Sequence, residues 1–188
     1  MRVRYRLLPA AAAAMVILPA ARLGPQGTQV DLGRVVQEIE QLDALRSSLA
    51  RSFGDQGVPA TRETFQQVCR PVGMRAQGLG RENGWTVQQL AQKNRNPNNS
   101  LDPEAASAYH LMQQDRDLMG TWVRTSHESK TGSRYFRRIV VEPACLACHG
   151  PRDQRPEFVK QGYPEDKAFD FNEGDLRGLY SVFVPDGN

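Results

Sequence analysis

Histidine and cysteine are scarce in this chain, at three of each in 188 residues, and the scarcity limits its chemistry. No nucleophile, base and orienting group stand out as a catalytic constellation. Nor is there a repeat, a collagen-like period or a disordered tract, so one domain of ordinary size is the expectation. An excess of one charge is also missing. Of 24 basic residues, three are Arg2, Arg4 and Arg6, which leaves 21 against 21 acidic in the remainder. That balance excludes the electrostatic footprint of a nucleic-acid binder. The apolar run Leu7 to Ala21 is shorter than the roughly 20 residues a membrane span needs.

What that run does resemble, with three arginines ahead of it and polar sequence behind, is an export signal. Residues 1–21 are read as the signal, 22–30 as a linker and 31–188 as the domain, which places the protein in the periplasm or otherwise outside the cytosol. Leu18-Pro19-Ala20-Ala21 makes an indifferent cleavage site, so retention as a membrane anchor is the alternative, and the only route by which a membrane enters.

Leu32, Val35, Val36, Ile39, Leu42, Leu45, Leu49 and Phe53 recur at steps of three and four, which predicts an amphipathic helix ending near Gly54. A second helical pattern runs from Thr61 to Cys69 and meets Pro71, where a break or sharp kink is expected, with residues 72–80 resuming as a helix. Residues 85–90 read as a strand and 94–99 as a loop. Asp102-Pro103-Glu104 starts a helix reaching about Leu118. Residues 122–128 and 134–142 form a predicted hairpin around a turn at 129–133. After a polar stretch with one short helix, residues 178–184, apolar on both faces, read as a final, central strand. Helices first and strands later predict an α+β fold.

The second hairpin strand runs straight into Cys145-Leu146-Ala147-Cys148-His149. In a c-type haem site two thiols form thioethers with the porphyrin vinyl groups and the adjacent histidine supplies a nitrogen to iron. One covalent haem c is therefore the expected cofactor, with Cys145 and Cys148 as anchors and His149 as a ligand. Half a zinc site would require further Cys or His at matching spacing, and a thioredoxin-like pair belongs on a βαβ unit that is not evident.

Beyond Gly150 there is no Cys, His or Met, so a second ligand of those types must come from upstream. The candidates are Cys69, Met74, His110, Met112, Met119 and His127. Met112 reads as core filler and His127 as an exposed strand residue. Cys69 is preferred, because with Cys145 and Cys148 alkylated it has no disulfide partner in an exported chain; the alternative is a small buried thiol used for packing. A helix restarting at Pro71, together with Arg70, would favour its thiolate.

Several short pieces together resemble a family of bacterial single-haem c-type proteins with a Per-Arnt-Sim-like (PAS-like) fold and His/Cys ligation, catalogued as a domain of unknown function. They are Val68-Cys69, Gly84-Trp85, Arg95-Asn96-Pro97, Tyr135-Phe136, Cys145 to Gly150, and Gly174-Asp175-Leu176-Arg177-Gly178. The resemblance spans about Leu32 to Pro185. It implies His149 as proximal ligand, Cys69 as distal ligand, thioethers at Cys145 and Cys148, and a PAS-like antiparallel sheet backing the haem. Pro71, close behind the proposed ligand, departs from the family pattern. Arg95, Arg137 and Tyr135 are candidate partners for the haem propionates; Arg95 bracing an Asn-rich turn and Arg137 as a solvated strand residue are the alternatives. Trp85 and Phe136 are candidates to pack on the porphyrin, or else ordinary core aromatics.

With both axial positions filled, iron has no open site, so the expected role is one-electron transfer or redox sensing rather than catalysis. A CO or NO sensor in which Cys69 is displaced is one alternative, by analogy with the fold, and a small peroxidase or reductase is another. No kinase or methyl-accepting segment lies within the 188 residues, so signalling would run through a separate redox or signalling partner.

Overall fold

The apolar period of the first helix appears as α1 (Leu32–Asp55), whose Val35, Ile39 and Leu42 are fully buried. In the computed structural model residues 31–55 and 59–187 are described; the proposed export signal and linker lie outside them. Among the described residues no helix is long and apolar enough to cross a membrane.

The second helix departs from expectation. It runs unbroken from Arg62 to Asn83 (α2), with Pro71 in its interior. An interior proline removes one backbone hydrogen bond and costs about 3 kcal/mol. Here strong ends and a buried face outweigh that cost. Thr61 and Thr64 form a reciprocal capping box, Gly84 closes the far end at φ 69°, and Val72, Ala76 and Leu79 are buried. Since propensity is weak beside packing, Pro71→Ala is expected to stabilise the protein by about 1–3 kcal/mol in urea titration. No change, or a loss, would mean that α2 depends on its proline.

After α2 the chain forms β1 (Thr86–Leu90) and then α3 (Pro103–Gln114), capped by the Asp102 side chain accepting from the Ala105 amide at 2.9 Å. The helix stops short of Leu118 because the Asp115 carboxylate accepts from the Asp117 and Leu118 amides at 2.9 and 3.2 Å, offering the backbone a turn in place of a further helical one. Next come β2 (Gly120–His127) and β3 (Lys130–Val140). Their turn is the pair Glu128-Ser129, both at positive φ (49° and 66°), as a two-residue type I′ hairpin requires. Residues 130–133, expected in the turn, are paired strand.

The short helices α4 (Leu146–His149) and α5 (Glu157–Gly162) follow, and then β4 (Leu176–Pro185). The four strands pair antiparallel in the order β1-β4-β3-β2, so the last strand is central, as its apolar faces predict. The fold is α+β, N-terminal helices followed by an antiparallel sheet, consistent with a PAS-like arrangement.

Alternate residues of the strands feed two cores. Tyr135, Ile139, Tyr180 and Val182 pack under α1 and α2, whereas Phe136 and Leu179 pack under α3. A third small cluster, Val141, Ala168 and Phe171 with Cys145 and Leu146 against it, lies where the sheet hands over to α4. The ladder slips at that end: Ile139 pairs with Gly178 but Val140 with Leu176, leaving Arg177 as the extra residue of a β-bulge.

Candidate haem centre

Strand β3 delivers the cysteine motif through a 3-10 turn, Pro143–Cys145, directly into α4, so Cys145, Cys148 and His149 all lie on one tight piece of helical chain. One later strap of chain holds that piece in place. The Asp170 amide donates to the Gly150 carbonyl at 2.8 Å and the Phe171 amide to the His149 carbonyl at 3.1 Å.

His149 itself is oriented from the same strap. Its Nδ1 lies 2.7 Å from the Ala168 carbonyl oxygen. A carbonyl can only accept, so Nδ1 carries the proton and Nε2 keeps its lone pair. Arg95 Nη2, 3.3 Å from the same Nδ1, is then a close neighbour rather than a hydrogen-bond partner, and its donation goes to the Cys148 carbonyl at 2.8 Å. Burial first, then Arg177 and Arg95, hold the imidazole pKa well below its ordinary value, so the ring is neutral. A neutral ring with one nitrogen committed to a backbone carbonyl is the usual state of a metal-ligating histidine.

The strap has its own anchor, the fully buried Asp166 side chain. It accepts from Arg95 Nε at 3.3 Å, Arg155 Nη1 at 2.8 Å and the Ala168 amide at 2.9 Å. On the opposite side α1 supplies Arg46, which pairs with Asp43 at 2.7 Å and Glu142 at 3.0 Å and points Nη1 at the Cys145 sulfur, 3.8 Å away.

Cys69 meets this region across α2. Phe65, Cys69, Val72, Ala76 and Leu79 form one stripe at steps of four and three. Val72, Ala76 and Leu79 are buried in the core and the Phe65 ring packs 5.9 Å from that of Phe158 on α5, yet Cys69 between them is exposed. Desolvation by the neighbouring chain pushes its thiol up to about 11, with Cys148 and Cys145 acting in the same sense; Arg95 and Arg177 pull it down. The sulfur is therefore in electrostatic reach of the motif, at an uncovered gap in an otherwise buried stripe. The expected help from a restarted helix and from Arg70 is replaced by Arg95 and Arg177, because α2 does not restart.

The other distal candidates are elsewhere. Met112 is fully buried under α3, and His110 is exposed on that helix, 3.0 Å from Gln114. His127 stacks on Phe183 at 5.3 Å, while Met74 and Met119 are exposed. Two surface hollows flank α3, and neither is lined by Cys69 or by the motif. Among the described residues no group of three or more His, Cys, Asp or Glu side chains is placed to hold a metal ion, so a four-ligand zinc site has no ligand set there.

The candidates for haem carboxylates and for porphyrin packing are otherwise employed. Arg95 braces the motif against Asp166 rather than the Asn-rich turn. Arg137 is buried, not solvated, and pairs with Glu40 at 2.9 Å and Asp43 at 2.7 Å on α1. Tyr135 stacks on Trp122 at 4.8 Å in the α1 and α2 core, which Trp85 also joins. Phe136, one residue along, points to the other face and is fully buried under α3. Adjacent strand residues cannot both line one cleft, which nearness in sequence to the motif conceals. Arg46, Asp166 and Ala168 have no counterpart among the sequence expectations, and Arg177 has one only as part of the Gly174 to Gly178 piece. Asp166 and Ala168 carry no local signal, since they act through chain that folds back from 20 residues away. An arginine heading an apolar strand was the available cue for Arg177.

A family model described as Tll0287-like matches residues 31–185. A solved structure, the cyanobacterial haem protein Tll0287, is similar at 41% identity over 82% of this chain and 94% of that one, with a TM-score of 0.72. Curated proteins yield no match.

Proposed function

Since the chain belongs to the Tll0287-like family, whose model covers nearly all of its described residues, we propose that it is an exported haem protein acting in one-electron transfer or redox sensing. In this reading one haem c is attached through Cys145 and Cys148, with His149 Nε2 and the Cys69 sulfur as axial ligands. The similar cyanobacterial haem protein supports the cofactor. The observation that carries the ligand assignment is the 2.7 Å contact from His149 Nδ1 to the Ala168 carbonyl, which frees Nε2 for iron with no proton to remove.

The donor set suits the group. Two free thiols sit on one helical piece with a neutral imidazole beside them, and the third thiol stands uncovered across the gap. When bound, a haem so ligated supplies one-electron chemistry at a potential low in the range that axial ligands command. The chain's own part is to fix the imidazole through Ala168, to exclude water with Val141, Phe171 and Leu146, and to set the local charge with Arg46, Arg95 and Arg177. A ligand-sensing role is favoured by one observation: Cys69 is exposed, and no hydrogen bond among the described residues holds its sulfur. Absence of any spectral change when the reduced protein meets CO would remove that second role.

Protein matured in a host competent for c-type cytochrome assembly is expected to keep its colour through acid-acetone extraction. Complete loss of colour to the solvent would overturn covalent attachment.

A further inference from the structure

Four arginines about the motif have a carboxylate, and buried Arg138, which has none, is met instead by the backbone carbonyls of Met112, Asp115 and Arg116. Arg46 has Asp43 and Glu142, Arg137 has Glu40 and Asp43, and Arg95 and Arg155 share Asp166. Arg177 is different. Its Nη1 donates to the Lys93 carbonyl at 3.0 Å and its guanidinium lies 5.5 Å from the centre of the Phe171 ring, but no carboxylate of the described residues is within ion-pair distance. The bulge in β4 is what turns it there. An extra residue between the pairs Ile139 with Gly178 and Val140 with Leu176 takes Arg177 out of the ladder, on the side where the Phe171 ring meets His149 edge-on at 6.2 Å.

We propose that Arg177 binds a carboxylate of the attached porphyrin, in place of the partner that Arg46, Arg95, Arg137 and Arg155 already have. The proposal rests on the haem reading above. A half-buried guanidinium beside another cation gains from an anion that meets it. Burial and then Arg95 bring the Arg177 pKa down to about 10, against a weaker upward pull from Asp166, so this chain leaves the charge under-compensated. A planar guanidinium matches a carboxylate with two parallel donors, and Nη1 is the only nitrogen given a hydrogen bond. The Lys93 ammonium, 4.7 Å from the centre of the same ring and donating to the Phe169 and Asp170 carbonyls at 3.1 Å, steadies Phe171 without neutralising Arg177.

Resonance Raman spectra and a potential-against-pH titration of holoprotein test the assignment in wild type, Arg177→Lys and Arg177→Gln. In wild type, exchange into D2O shifts the propionate bending mode, because the guanidinium donates to that carboxylate. In Arg177→Gln the mode moves, and the acid limb of the potential curve shifts upward by about one pH unit, a tenfold gain in proton affinity; Arg177→Lys falls between. Wild-type propionate modes and acid limb in both variants would overturn the proposal, as would a change confined to the iron–sulfur stretch, which would make Arg177 a partner of Cys69. The deuterium shift needs no variant and stands if either fails to fold. A wild-type protein without bound haem would instead sink the haem reading itself.

Discussion

In Cys69→Ala protein the thiolate-to-Fe(III) charge-transfer band is expected to disappear, and the reduced form is expected to bind CO stoichiometrically. The sulfur stands alone in its gap, exposed between the Phe65 ring and buried Val72, so its loss should leave little of the core to collapse. Stability should change by less than about 1 kcal/mol, as for a site outside the packed interior, while the spectrum changes wholly. The potential should rise, because the strongest electron donor to iron has been removed. Survival of the band would assign the distal position to another group, and His149 would remain as proximal ligand. Cys69→Met separates charge from coordination: it should restore six-coordination without the band and give a higher potential than wild type.

Asp166→Ala is expected to be the most damaging single change near the site, at about 3–5 kcal/mol in chemical denaturation. Two half-buried guanidiniums, Arg95 and Arg155, would lose their common buried carboxylate, and the Ala168 amide would lose its acceptor. The consequence reaches the ligand, because the carbonyl of Ala168 is the group that fixes His149. Broadened axial signals in electron paramagnetic resonance should accompany the lost stability. Asp166→Asn keeps one acceptor oxygen and should cost less than half as much. Near-neutral stability in both variants would mean that water replaces the carboxylate and that the strap is held by its backbone bonds alone.

The residues most readable in the sequence were those whose signal is local. The period of residues 32–53, the Asp102-Pro103 start and the doubly apolar 178–184 segment each correspond to an element in the expected place. Cys145, Cys148 and His149 make a local signal because the thioether attachment proposed for them would demand adjacency. Elements decided by tertiary packing were not readable. Pro71 looks like a breaker until Val72, Ala76 and Leu79 are seen against the core. Glu128-Ser129 lacks the glycine or asparagine that usually marks a type I′ turn, so the sequence points to a turn over Ser129 to Ser133 instead. Arg137 and Arg95 are alike in one dimension; only the fold shows that Glu40 and Asp43 take one and Asp166 the other. Arg177 depends on a one-residue slip in register, which leaves no mark in composition.

The strand that leaves the ribosome last occupies an inner place in the sheet, between β1 and β3. Native pairing of residues 86–90 must therefore wait until residues 176–185 have been made and brought home, a long loop to close before any reward in contacts. In the attachment proposed above, the thiols at 145 and 148 would meet their porphyrin on that still-open chain, before the sheet closes beside them.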